Sequence, residues 1–178
     1  MTSKALTIHD AVQLMKQDGS RLAPPVPVDG MPPMTFVCSF SPDAVPRQEI
    51  QTLLPKCPSD LVDFWSEART ARLFVDQEYG QWGLEILAPD HAAAATKEYK
   101  ATRNRDFVQG DLIIGKFLGD SDLLLLRCDP LGDDFGFVLI VLPLDRRADW
   151  YPVATSLQAF LNSYVKSGGE KFWTHKRN

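Results

Sequence analysis

The 178-residue chain is 44% hydrophobic and 24% charged, an ordinary domain composition at a length that supports one sizeable core. Nineteen basic against twenty-three acidic side chains leave a net charge of −4, the wrong sign for a chain whose main partner is a phosphate backbone, so nucleic acid is not the expected partner. No run approaches the roughly 20 apolar residues that cross a bilayer, and Met1-Thr2-Ser3-Lys4-Ala5-Leu6 lacks the apolar stretch of a secretory signal, so the expected location is the cytoplasm, with no membrane association.

Thr7 followed by Asp10 reads as a helix N-cap with an acid in the first turn, and Ile8, Ala11, Val12 and Met15 then recur at helical spacing. Asp18-Gly19-Ser20 stops this helix. From Pro24 to Pro46 the chain carries seven of its thirteen prolines, which excludes a regular helix. One strand, Phe36-Val37-Cys38-Ser39-Phe40, interrupts the stretch. Residues 1–46 therefore read as an arm laid against a core domain, with Met31, Met34, Phe36 and Phe40 offering apolar surface; Pro24-Pro25-Val26-Pro27 also suits a polyproline II ligand.

The core domain is expected over residues 47–166. Ile50, Leu53 and Leu54 share a helical face, Pro58-Ser59 starts a second helix, and Leu61, Phe64, Trp65 and Ala68 place its buried stripe at i, i+3, i+4 and i+7. Tyr79 to Leu87 reads as a strand, and Pro89-Asp90 opens a helix through the alanines to about Tyr99, basic at its end. The apolar runs Leu112 to Leu118, Leu123 to Cys128 and Phe135 to Leu142 are separated by turn sequences rich in Asp and Gly, which predicts an antiparallel meander. Thr155 or Ser156 caps a last helix with Leu157, Phe160, Leu161 and Tyr164 on one face, ended by Gly168-Gly169. Helices flanking an antiparallel, or mixed, sheet define an α+β fold. Residues 167–178 form a basic tail or a partly docked extension, with Phe172 and Trp173 beside Lys171, Lys176 and Arg177.

Little here carries catalysis. Cys38, Cys57 and Cys128 are an odd, widely spaced set without a C-x-x-C pair, so they read as reduced, mostly buried thiols. His9, His91 and His175 have no second His or Cys at a ligand spacing. Cys57 with His91 has the residue types of acyl transfer, yet Cys57 sits at a helix entry and reads as structural. Asp134-Phe135-Gly136 spells a kinase triplet without the accompanying glycine-rich and catalytic loops, and Asp129, Asp133 and Asp134 lack the alternation of a calcium loop. Neither metal nor cofactor is expected. Charge is more telling. Between Asp106 and Asp145 lie eight aspartates (106, 111, 120, 122, 129, 133, 134 and 145) against Lys116 and Arg127, a local net charge of −6 within a chain of −4. Asp favours turns, which by itself accounts for acids between strands. If the turns gather at one sheet end, Asp120, Asp122, Asp129, Asp133 and Asp134 form an acidic face for a basic protein partner. Tyr79 and Trp82, bracketed by Gly80 and Gly83, are candidate interface anchors or strand-edge residues.

The run Leu54-Pro55-x-x-Pro58-Ser59-Asp60-Leu61-Val62-Asp63-Phe64-Trp65, followed by Tyr79-Gly80-Gln81-Trp82-Gly83-Leu84, resembles the SUKH superfamily, the Smi/Knr-type domain named after fungal cell-wall synthesis regulators. Gly110-Asp111-Leu112-Ile113-Ile114-Gly115 and Val153-Ala154-x-Ser156-Leu157-x-x-Phe160-Leu161 fit the same pattern. The chain departs from it where members carry an Asn-Gly type turn, having Ala68-Arg69-Thr70-Ala71-Arg72 instead. The resemblance covers roughly residues 47–166. It implies a non-enzymatic α+β domain of the immunity-protein type, which binds and neutralises a cognate bacterial toxin, here a basic toxin domain. The alternative it leaves is a housekeeping or regulatory protein that binds a peptide or ligand in a cleft beside Tyr79 and Trp82.

Overall fold

The computed structural model describes residues 5–18 and 35–174. Pro24 to Pro33, His175 and the last basic residues, with the readings made of them, lie outside that range. Seven strands form one sheet in sequential order, each antiparallel to the next. The three apolar runs are its centre: β4 (Asp111–Phe117), β5 (Leu123–Arg127) and β6 (Val138–Val141). Before them come β1 (Phe36–Phe40), β2 (Ala71–Asp76) and β3 (Leu84–Ile86), and after them β7 (Tyr151–Ala154). Among the described residues five α-helices complete an α+β fold: α1 (Ile8–Asp18), α2 (Arg47–Leu53), α3 (Ser59–Glu67), α4 (Pro89–Thr102) and α5 (Leu157–Lys166). None of the described helices is long and apolar enough to cross a membrane.

The central strands read as continuous apolar runs because both sheet faces are covered. Leu112, Ile114, Leu124, Leu126, Val138 and Ile140 enter the main core with α1, α3 and α5. Their neighbours Ile113, Leu123, Leu125 and Val141 enter a second core with Phe107 and Trp150, against which Ala95 and Tyr99 of α4 pack. Successive strand residues point to opposite faces, so the two clusters lie on the two sides of the sheet.

The helix stripes form as periodicity requires. Leu61, Phe64, Trp65 and Ala68 are fully buried. The α5 stripe behaves alike, with Leu157, Phe160, Leu161 and Tyr164 all at 1% exposure or less, and Ser156 accepts the Ala159 N–H at 3.0 Å as its N-cap. At α1, Thr7 Oγ1 accepts from the Asp10 N–H at 3.1 Å while Asp10 accepts from the Thr7 N–H at 3.2 Å, a reciprocal cap.

Three departures from the sequence reading have local causes. The strand expected from Tyr79 starts only at Leu84, because the Asp76 carboxylate accepts the N–H groups of Glu78 and Tyr79 at 2.9 and 3.1 Å and curls the chain into a turn. Gly83 then takes φ +124°, where a Cβ would stand 2.9 Å from the Val75 backbone. Strand β2 carries only a short signal in its sequence: Leu73-Phe74-Val75 is its whole apolar run, and apart from Arg72 it is buried throughout, so it shows no polar alternation. Strand β7 holds Pro152 and ends the sheet on the outer side, the place where a missing N–H costs no ladder bond.

The flanking segments are part of the same core. Ile8, Val12 and Met15 of α1 are buried with α3 and α5, and β1 pairs with β2. At the other terminus Trp173 is docked on the same core. It is 3% exposed and lies edge-on to Phe117 at 5.2 Å and to Phe172 at 5.1 Å.

Candidate functional site

In a sequential antiparallel meander the turns alternate between the two ends of the sheet. The β2–β3 and β4–β5 turns share one end, where the Leu118 N–H donates to the Gly83 carbonyl at 2.9 Å. The β5–β6 turn lies at the opposite end, beside Gly110 and the start of β4. Consequently Tyr79, Trp82, Asp120 and Asp122 form one group, and Asp129, Asp133 and Asp134 another. The acidic turns do not make a single surface.

The first group is largely engaged within the fold. Trp82 donates from Nε1 to the Gly169 carbonyl at 3.0 Å and its ring lies 6.5 Å from that of Phe36. The Lys171 ammonium stands 5.6 Å from the Trp82 ring centroid and 5.3 Å from that of Phe117, pairs with Asp120, and reaches Asp122 at 3.8 Å. Burial pushes the Lys171 pKa down, and the two carboxylates and two ring faces are what hold the cation there. Of this group Tyr79, at 61%, and Asp120 are exposed.

At the opposite end an arginine network runs through the acidic residues. Arg127 donates from Nη1 to Asp111 at 2.6 Å, from Nε to Asp134 at 2.7 Å, and to the Gln109 carbonyl at 2.9 Å. Arg147 donates to both oxygens of Asp111, at 2.7 and 3.2 Å, and to the Asp106 carbonyl at 3.0 Å. Arg103 closes the chain on Asp106 at 2.7 Å. Asp111 is 1% exposed and Arg127 7% at the side chain, so this is a paired, desolvated ion cluster. The network needs Gly110, whose φ is +81° and where a Cβ would lie 2.5 Å from the Asp129 nitrogen.

Arg103, Arg147 and Lys171, which lie outside the Asp106–Asp145 segment, therefore offset half of its −6, Arg147 and Lys171 doing so from far along the chain. Among the described residues Asp129, Asp133 and Asp145 carry no ion pair. Asp129 and Asp133 share this end of the sheet with exposed apolar side chains that sequence reasoning missed. Leu131 is 93% exposed, Leu53 46%, and Val108 and Phe135 40% each. Leu131 and Phe135 belong to the β5–β6 turn, Val108 precedes Asp111, and Leu53 borders a cavity of about 200 Å³ whose other walls include Cys57, Gly110 and Cys128. A signal was present: Pro130-Leu131-Gly132 puts a large apolar side chain in the middle of a turn, where no core can receive it.

The remaining candidates are dispersed. His9 contacts Glu67 at 2.8 Å on the surface. His91 lines a cavity of about 510 Å³ along α4 with Glu85, Glu98, Tyr99 and Lys116, separate from the cavity that holds Cys57. The Asp129–Asp134 turn is occupied by its own hydrogen bonds, Leu131 N–H to Asp129 at 3.1 Å and Arg127 to Asp134.

The ion cluster carries a pH signature. The Arg127 guanidinium beside Asp134 holds its carboxyl below the usual 3.8, and Arg103 does the same for Asp106. A carboxyl lowered in the fold contributes stability that is complete above its unfolded value and is lost as pH falls through the lower folded value. Asp122, raised by burial and by Asp145, works in the opposite direction. Urea midpoints measured from about pH 6 down to about pH 3 are expected to fall, and Asp134→Asn to flatten that fall. An unchanged slope in the variant would contradict the assignment.

The family model described as SMI1 / KNR4 family (SUKH-1) matches residues 48–163. The match runs from α2 into α5; α1, β1 and the docked Trp173 lie outside it. No curated protein matches the chain.

Proposed function

The chain belongs to the SMI1 / KNR4 family (SUKH-1), and from that premise we propose that it is a non-enzymatic protein-binding domain of the immunity type, which neutralises a cognate bacterial toxin. The observation that carries this reading is the end of the sheet where Leu131, Phe135, Val108 and Leu53 are exposed beside Asp129 and Asp133, which carry no ion pair. An apolar patch rimmed by charge is the usual build of a protein interface: the apolar side chains supply affinity, the carboxylates steer a basic partner. Asp120 and Asp122 enter this reading only as a weaker, Lys171-compensated surface at the other end.

The test is to purify the chain and mix it with the toxin domain encoded in the neighbouring reading frame, following binding and inhibition at rising salt. Tight inhibitory binding is expected. Leu131→Asp should weaken it by about 10-fold or more, and Asp129→Lys with Asp133→Lys should slow association by about 10-fold at low salt and less at high salt. No binding at low salt would sink the proposal.

The second reading, a housekeeping or regulatory protein that binds a peptide or small ligand, draws support from the cavity along α4, which mixes Glu85, Glu98 and Lys116 with Leu87, Ile113 and Tyr99. Neither Tyr79 nor Trp82 lines that cleft. A gene neighbourhood without a toxin would favour this reading.

A further inference from the structure

Cys57 and Cys128 are 71 positions apart, yet both line the same cavity of about 200 Å³. Each is held there by backbone. Cys57 follows α2 in a turn closed by its N–H donating to the Leu54 carbonyl at 3.1 Å, and Cys128 ends β5 with its N–H on the Gly110 carbonyl at 2.6 Å. Their accessibilities differ: Cys57 is half-buried and Cys128 buried, while the third thiol, Cys38, is half-buried elsewhere, where its Sγ accepts the Phe74 N–H at 3.3 Å.

We propose that Cys57 and Cys128 are a dithiol pair that a low-molecular-weight disulfide converts reversibly into a Cys57–Cys128 disulfide. Cys57, the more accessible, reacts first. Its thiolate attacks one sulfur of the oxidant RSSR, forming a mixed disulfide and expelling RS⁻, which takes up a proton. The Cys128 thiolate then attacks the Cys57 sulfur and expels the second thiolate, so that two protein thiols and RSSR become one protein disulfide and two RSH. Both electrons pass to the oxidant. In the reduced protein the neighbouring Cys57 thiol, and then burial, raise the Cys128 pKa, in keeping with Cys57 being the first of the two to react. The resulting bond would tie the α2–α3 turn to the end of β5.

The experiment treats the native full chain with excess glutathione disulfide and reads intact mass and the non-reducing peptide map. Two of the three thiols are expected to disappear, the monomer to lose the mass of two hydrogens, the linkage to map to Cys57–Cys128, and dithiothreitol to reverse it. Cys128→Ser should stop the reaction at a glutathione adduct on Cys57, and Cys57→Ser should leave Cys128 unmodified. A lasting adduct on wild-type Cys57, a link to Cys38, a disulfide between two chains, or retention of all three thiols would each overturn the proposal. The wild-type result alone decides it if either variant fails to fold.

Discussion

Arg127→Ala is expected to destabilise the fold by about 3–5 kcal/mol, the cost of leaving a buried charge without its partner. Arg127 is 7% exposed at the side chain and is the contact that Asp111, 1% exposed, makes inside the sheet end. Without the guanidinium, Asp111 retains Arg147, which at 27% exposure is the less buried of its two cations, and Asp134 and the Gln109 carbonyl each lose a donor. Denaturant unfolding checks it: the midpoint should move at nearly constant m-value. Combining Arg127→Ala with Asp111→Ala should cost less than the two singles added together, by about 1 kcal/mol or more, because the second change removes the buried charge that the first one left with a single cation. Additive costs would mean that the network is a set of independent surface pairs.

Trp65→Ala is expected to cost a similar amount, about 3–5 kcal/mol, through lost burial and the cavity left behind. Trp65 is fully buried and stands among the largest such side chains. Its Nε1 donates to the Leu87 carbonyl at 2.9 Å, tying α3 to the segment that leads from β3 into α4. Trp65→Phe separates the two roles. It keeps most of the apolar volume but leaves the Leu87 carbonyl without its donor, and should cost about 1–3 kcal/mol. A cost below about 1 kcal/mol for the alanine variant would show that the site collapses around the deletion, contrary to close packing.

The two cores were legible to different degrees. In α3, Leu61, Phe64, Trp65 and Ala68 announce a buried stripe because apolar residues three and four positions apart fall on one side of a helix and on no single face of a strand. The runs that became β4, β5 and β6 were equally visible, since strands covered on both faces leave uninterrupted apolar sequence. Strands β2 and β7 were not. The six residues of β2 follow a helix end with no strong turn signal, and β7 is a four-residue edge strand containing Pro152, which depends on β6 for its existence. The candidate site was half legible. Asp129, Asp133 and Asp134 were visible as charge, whereas Leu53 and Val108 belong to segments distant in sequence and join the patch only where α2 and the start of β4 meet the β5–β6 turn.

Sequence alone determined the helices, the central meander and the α+β class, because periodicity is a local property that a chain expresses wherever its faces are buried. It also determined the total charge. Where that charge acts was decided by tertiary structure. Lys171 reaches Asp120 across 51 positions and Arg147 reaches Asp111 across 36, and the antiparallel order sends successive turns to opposite ends of the sheet. Electrostatic pairing depends on distance through space, which composition does not contain. An acidic segment of −6 thus folds with five of its eight aspartates in ion pairs, leaving Asp145 open and Asp129 and Asp133 open beside Leu131 and Phe135.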